Sequence, residues 1–244
     1  MIPQRCRTFA LMWFISAAVV LPSGAANATE GMAKRGNAKF FRSHAEFLER
    51  GAKGPVGVLF LGDSITAGWK SVPKLWEAGY SKYQPANFGI GGDRTEHVIW
   101  RIEQGELDKI SPKVVVVMIG TNNTGDNAAV EIAAGNRKIV ALIQEALPET
   151  KILLLGVFPR GPRTNGNGQA DPWEQKMAKI NAINTDLAQL DDGDRVRFLD
   201  IGDSFRGADG ALPKDIMPDQ LHLNAAGYQI WIDAMAPLLT DMME

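Results

Sequence analysis

The chain has 244 residues, 45% of them apolar and 22% charged, with a formal net charge of −2. That length suits one domain with a large core, and the near-neutral balance gives no pointer to nucleic acid or an anionic membrane. The single cysteine, Cys6, stands ahead of the first apolar stretch, so the rest of the chain has no thiol for a disulfide, a thiolate metal site or a cysteine nucleophile.

Arg5 and Arg7 precede an apolar run over residues 9–21 that is too short to span a bilayer, and Ala26-Asn27-Ala28 matches an A-x-A cleavage pattern. The expectation is a signal peptide over 1–28, cut after Ala28. It would export the protein to the periplasm or out of the cell, with no stable membrane insertion after cleavage. An uncleaved N-terminal anchor is the alternative. Residues 29–37 are polar with two glycines and read as a linker. Residues 40–50 bring Phe40, Phe41, His44, Phe47 and Leu48 to helical spacing, an amphipathic helix with His44 as a packing histidine. Linker and helix occupy 29–54, and the main domain covers 55–244.

Residues 56–61 are a short apolar run of strand length, ending in Gly62-Asp63-Ser64. Ser64 stands where a helix begins, at the open end of a strand and beside backbone N–H groups. A nucleophile is useful there, and a helix N-cap also sits there. The residues that follow form a helix or an irregular stretch anchored by Trp69 and Trp76. A second strand over 83–88 runs into the glycine-rich turn Asn87-Phe88-Gly89-Ile90-Gly91-Gly92-Asp93. Residues 95–106 read as a helix. The β-branched run 114–119 reads as a strand buried on both faces, ending in Gly120-Thr121-Asn122-Asn123. A helix over 128–146, a strand over 152–157, a Gly/Pro/Asn-rich loop over 159–172, a helix over 173–190, a strand over 196–199, an irregular segment over 200–221 and a helix over 225–239 complete the chain.

Strands alternating with helices predict βαβ units. The expected fold class is α/β, a three-layer α/β/α sandwich on a five-stranded parallel sheet. The turns after the strands then gather at its carboxyl edge, where such sheets bind ligands.

Near the C-terminus, Pro218-Asp219-Gln220-Leu221-His222 puts an acid three residues before a histidine. A serine nucleophile needs a base, and the base needs an orienting carboxylate. Ser64, His222 and Asp219 supply these parts, although Asp219 could equally be a turn residue and His222 a buried polar group. Donors for a tetrahedral oxyanion are available at the Gly92 N–H, the Asn122 side chain and the Ser64 N–H.

Taken in order, Gly62-Asp63-Ser64, Gly92 in its turn, Gly120-Thr121-Asn122-Asn123 and Asp219-Gln220-Leu221-His222 resemble the SGNH (GDSL-type) hydrolases over about residues 55–240. Residues 87–93, His97-Val98-Ile99-Trp100-Arg101, Gly105-Glu106-Leu107 and residues 120–123 make the resemblance closest to the catalytic subunits of intracellular platelet-activating-factor acetylhydrolase. The resemblance implies a flavodoxin-like sheet and ester hydrolysis through an acyl-enzyme, with no metal or cofactor. It also implies Ser64 as nucleophile, His222 as base and then acid, Asp219 as its orienter, and Ser64, Gly92 and Asn122 as the oxyanion hole. Ile65 replaces the leucine of GDSL and should pack. His97 has no role in the family pattern. The related subunits pair with one another, so a homodimer is an expectation of the resemblance. An α/β-hydrolase elbow is disfavoured, because Thr66 stands where its second glycine belongs.

The leaving group is less legible. Arg160, Arg163, Asn165, Asn167 and Asp171 make the 159–172 loop polar, and Trp69 and Trp173 are candidate platforms for a sugar. No long apolar run suggests a lid. The expectation is an exported esterase for short, acetyl-type esters, with an acetylated glycan ahead of a phospholipid-type acetylhydrolase or lysophospholipase substrate. A non-catalytic glycan- or partner-binding module is the reading from another class. It is disfavoured because Ser64, Asp219 and His222 are all present.

Overall fold

The computed structural model describes residues 25–164 and 168–244. Most of the expected signal peptide, and Asn165 and Asn167 of the loop, lie outside the described residues.

Five strands form one parallel sheet in the order β2-β1-β3-β4-β5: β1 (Val58–Gly62), β2 (Pro85–Gly89), β3 (Val114–Met118), β4 (Lys151–Leu155) and β5 (Val196–Leu199). The helices are α1 (Ala38–Ala52), α2 (Ser64–Ala67), α3 (Pro73–Tyr80), α4 (Thr95–Glu103), α5 (Ala129–Ala146), α6 (Trp173–Ala188) and α7 (Ala225–Met242). The sheet divides the core in two, because successive strand residues point to opposite faces. Leu59, Leu61, Val115, Val117, Ile152 and Leu154 pack with α1, α4, α5 and α6. Val58, Phe60, Val114, Val116, Leu153 and Leu155 pack on the other face with α7 and an aromatic cluster. Both faces are covered, so every residue of β1 and β3 is buried, and their sequences show no polar alternation. The chain leaves β1 for β2 on one side and β3 on the other. The switch point at the carboxyl ends of β1 and β3 is where ligands bind in this topology.

One expectation is corrected here, and one left open is decided. Trp69 is 1% exposed, with its ring 4.4 Å from Tyr228 and 5.2 Å from Trp231. It is core, not a sugar platform. The following stretch, 73–80, is the helix α3, begun by Pro73 at the first helical position, where its missing N–H costs nothing.

The segment read as a linker lies against the body. The Met32 N–H donates to the Glu96 carbonyl at 2.9 Å, and the Lys34 ammonium reaches the Gly91 carbonyl at 2.8 Å. Within the cleavage pattern, Asn127 Nδ2 donates to the Ala26 carbonyl at 3.0 Å and Thr95 Oγ1 to the Ala28 carbonyl at 2.9 Å. His44 is a buried packing histidine, its Nδ1 3.2 Å from Glu106 Oε2.

Candidate active site

The site begins at the end of β1. A Cβ on Gly62 would lie 2.2 Å from Thr66 Oγ1 and 2.4 Å from the Met118 carbonyl oxygen, so only glycine lets α2 fold back so tightly. The N-cap of α2 is Asp63, not Ser64. Asp63 Oδ1 accepts the Ile65 N–H at 2.9 Å. This frees the Ser64 hydroxyl, which lies 2.9 Å from His222 Nε2. Ile65 is buried as expected, and its carbonyl accepts the Tyr228 hydroxyl at 2.6 Å, which ties α2 to α7.

His222 Nδ1 lies 2.8 Å from Asp219 Oδ2. Donation from Nδ1 to this carboxylate leaves Nε2 as the acceptor for the serine proton. Asp219 is aimed by its own turn. Its Oδ1 accepts the Leu221 N–H at 3.1 Å and the His222 N–H at 2.7 Å, and Gln220 between them takes φ 61°. The buried Gln220 amide holds that left-handed conformation by donating to the Leu212 and Met217 carbonyls, each at 3.0 Å. Partial burial pushes the Asp219 carboxyl up, but hydrogen bonds from His222 and the charge of Arg163 outweigh it, so it titrates below the usual carboxylate range. Arg163 Nη2 lies 3.4 Å from the same Oδ2. Next to the pair is a cavity of about 240 Å³ whose walls include Arg163, Lys214 and Asp219.

The turn after β2 comes alongside. A Cβ on Gly91 would stand 4.0 Å from Ser64 Cβ, and Gly92 has φ 72°. Asn122 Nδ2 donates to the Asp93 carbonyl at 2.8 Å and makes a longer 3.4 Å contact to Asp63 Oδ2, so one amide N–H is anchored and the other is loosely held. Among the described residues, the Ser64 and Gly92 N–H groups donate no hydrogen bond. The adjacent Asn123 has other work. It is fully buried, accepts the Thr95 N–H at 3.0 Å and donates to Glu96 Oε2 at 2.9 Å.

Sequence reasoning missed the buried charges that support this arrangement. Burial, set against the Ile65 N–H and reinforced by Asp93, raises the Asp63 carboxyl to about 7. Asp93 is fully buried between Lys34 at 2.7 Å and Arg101 at 3.0 Å, and Arg101 also pairs with Glu106. The acids that close the Gly-Asp-Ser and Gly-Gly-Asp motifs were visible, but nothing in the sequence signalled their shared burial. In the 159–172 loop Arg160 and Asp171 are buried and paired, with Lys176 on the same carboxylate, so the polar loop is tied down at its base. His97 is half-buried and accepts the Arg94 N–H at 3.0 Å on Nδ1. Burial and the nearby cations Lys34, Arg94 and Arg101 lower it to about 3, so it is neutral and engaged. Trp173 is half-buried at the start of α6. Among the described residues no group of three or more His, Cys, Asp or Glu is disposed to hold a metal ion.

A parallel sheet of order 2-1-3-4-5, with a serine, a histidine and an aspartate in hydrogen-bonded series at its carboxyl edge, defines the SGNH class of hydrolases. The family model of the GDSL-like Lipase/Acylhydrolase family matches residues 60–230, and the chain belongs to that family. It is a carboxylic ester hydrolase. Among curated proteins it is 37% identical over 211 residues to platelet-activating factor acetylhydrolase IB subunit alpha2 of Rattus norvegicus, covering 86% of this chain and 87% of that one. It is 34% identical over 209 residues to subunit alpha1 of Bos taurus, covering 86% of each. Among solved structures, a GDSL-like lipase from Bacteroides thetaiotaomicron matches with TM-score 0.63 at 20% identity, over 82% of this chain and 98% of that one. A carbohydrate acetylesterase from Sinorhizobium meliloti matches with TM-score 0.59 at 20% identity, over 77% and 99%.

Proposed function

We propose that the protein is an exported acetylesterase in which Ser64 is the nucleophile. The observation that carries this is the series Ser64 Oγ, His222 Nε2, His222 Nδ1, Asp219 Oδ2, with steps of 2.9 and 2.8 Å. Ser64 Oγ attacks the acyl carbon as its proton passes to His222 Nε2. The imidazolium that forms is stabilised by Asp219, which stays ionised. The carbonyl π electrons move to oxygen, and that oxyanion accepts from the Ser64 and Gly92 N–H groups and the second Asn122 N–H. His222 then protonates the leaving alcohol. Water, deprotonated by the same nitrogen, hydrolyses the acyl-enzyme to free acid and Ser64.

A short acyl group is supported by the curated relatives, which are acetylhydrolases. A polar alcohol is supported by the open site, where His222 is 43% exposed and the neighbouring cavity is lined by Arg163 and Lys214. An acetylated glycan met outside the cytoplasm fits these features. The relatives favour a second reading, an acetylated ether phospholipid.

The test is turnover of p-nitrophenyl acetate against p-nitrophenyl octanoate, with Ser64→Ala as control, followed by acetylated xylan, acetylated sialic acid and platelet-activating factor. Acetate should be preferred, and the variant should be silent. Equal release by the variant would sink the assignment of Ser64, and preference for octanoate would reverse the chain length. Export is checked by the mass of the N-terminus of protein recovered outside the cytoplasm, which should begin at Thr29.

A further inference from the structure

Lys34 belongs to the segment ahead of α1, yet it ends at the glycine turn beside Ser64. Its Nζ donates to the Gly91 carbonyl at 2.8 Å, lies 2.7 Å from Asp93 Oδ1 and sits 5.5 Å from the centre of the Phe40 ring. The side chain is only 12% exposed. An ammonium has three donors and no acceptor. Here one hydrogen bond, one ion pair and one aromatic ring surround it.

The partners it holds are informative. The Gly91 carbonyl and the Gly92 N–H are two ends of one planar trans peptide, and they point in opposite directions. Holding the carbonyl on the Lys34 side therefore directs the N–H to the other side. The plane has a glycine at each end, so no Cβ resists its rotation. Asp93, the second partner, supplies the backbone carbonyl that anchors Asn122 Nδ2 at 2.8 Å. One ammonium thus bears on both oxyanion donors that lie outside Ser64. Arg101, 3.0 Å from the other Asp93 oxygen, is shared with Glu106, so Lys34 also balances buried charge, and its positioning role is told apart by the readouts below.

We infer that Lys34 is a positioning residue. It holds the Gly91–Gly92 peptide with its N–H turned to the reacting carbonyl, so the segment before α1 completes the oxyanion hole. The inference rests on the reading of Gly92 and Asn122 as oxyanion donors.

Lys34→Met keeps an unbranched apolar side chain and removes the ammonium. Expected is a fall in kcat of about 30-fold, less than the 10²–10³ that deleting a donor costs, with KM for p-nitrophenyl acetate within about twofold. A short trifluoromethyl ketone adds Ser64 Oγ to its carbonyl carbon and leaves an oxyanion in the hole. Its inhibition constant should weaken by the same factor as kcat/KM. Lys34→Arg should restore most of both, and Lys34→Gln, which keeps one donor for the Gly91 carbonyl, should restore part and serves if the Met variant does not fold. Unchanged kcat, or a lower kcat without weaker inhibition, overturns the inference. Asn122→Ala measured alongside separates the two levels. If it loses kcat and inhibitor affinity while Lys34→Met does not, only the role of Lys34 fails. If neither variant loses them, the oxyanion reading itself fails.

Discussion

The two halves of the site are built differently. The half that holds Ser64, Gly92 and Asn122 stands on the ends of β1, β2 and β3. Its supporting acids Asp63 and Asp93 are fully buried, and Gly62 and Gly89 are closely packed against α2. The half that holds the base stands on an irregular segment before α7, and the His222 and Asp219 side chains are each 43% exposed. Donors aimed at a developing charge act most strongly when they are fixed in advance and shielded from water. A base must exchange protons with a leaving group and with water, so it needs one good orienting bond and access. The difference teaches that this sheet edge is rigid around Ser64 and the turn beside it, while a four-residue turn is enough to aim the histidine.

That contrast can be broken or sharpened by substitution. The largest effect is expected at His222. His222→Ala removes the proton acceptor, and kcat should fall on the order of 10⁴-fold or more, measured with p-nitrophenyl acetate. Retained turnover would mean that another group takes the serine proton. Next is Asn122→Ala, with kcat down about 10²- to 10³-fold and KM little changed. The opposite split would make Asn122 a substrate-holding residue and remove the rigid half's distinctive role.

A smaller effect, read in stability, is expected at Asp63. Its carboxyl titrates near 7 in the folded chain against an ordinary 3.8. Between those values the native state holds the proton more tightly than the unfolded chain does. The stabilising contribution is therefore fully present at the acid end and is lost as pH rises through about 7. Asp63→Asn keeps an oxygen for the Ile65 N–H and has no such dependence. Its urea midpoint relative to the parent protein should rise from about pH 4 to about pH 7 and then level off. A constant difference would show that burial does not perturb Asp63. The smallest effect is expected at Arg163. Arg163→Gln removes a partly exposed ion pair to Asp219, of a kind worth about 0–1 kcal/mol, and kcat/KM should change less than about threefold. A loss as large as that at Asn122 would show that the base half is as tightly built as its partner.

Ser64, Gly92, Asn122, Asp219 and His222 stood out as candidates because each sits in a short motif whose residue types serve a recognisable chemistry. The strands were legible because burial on both faces leaves continuous apolar runs such as residues 114–118. Trp69 was left between anchor and platform because a lone tryptophan looks the same in a sequence whether it faces sugar or the five aromatic rings around it. The sequence left a capping role open for Ser64, and the structure gives it to Asp63, which is also a good cap. Only the backbone angle at the strand exit decides which side chain turns inward.

The sequence alone determined the class of sheet, the edge at which its turns gather and the motifs that carry Ser64, Asp219 and His222, since these follow from local periodicity and from motif chemistry. The tertiary structure alone decided how charge is distributed around them. It buried Asp63 and Asp93 beneath the nucleophile, and it brought Lys34 across from a segment that reads as a linker. Burial and long-range pairing depend on the packing of elements far apart in the chain, and no local pattern of residues encodes them.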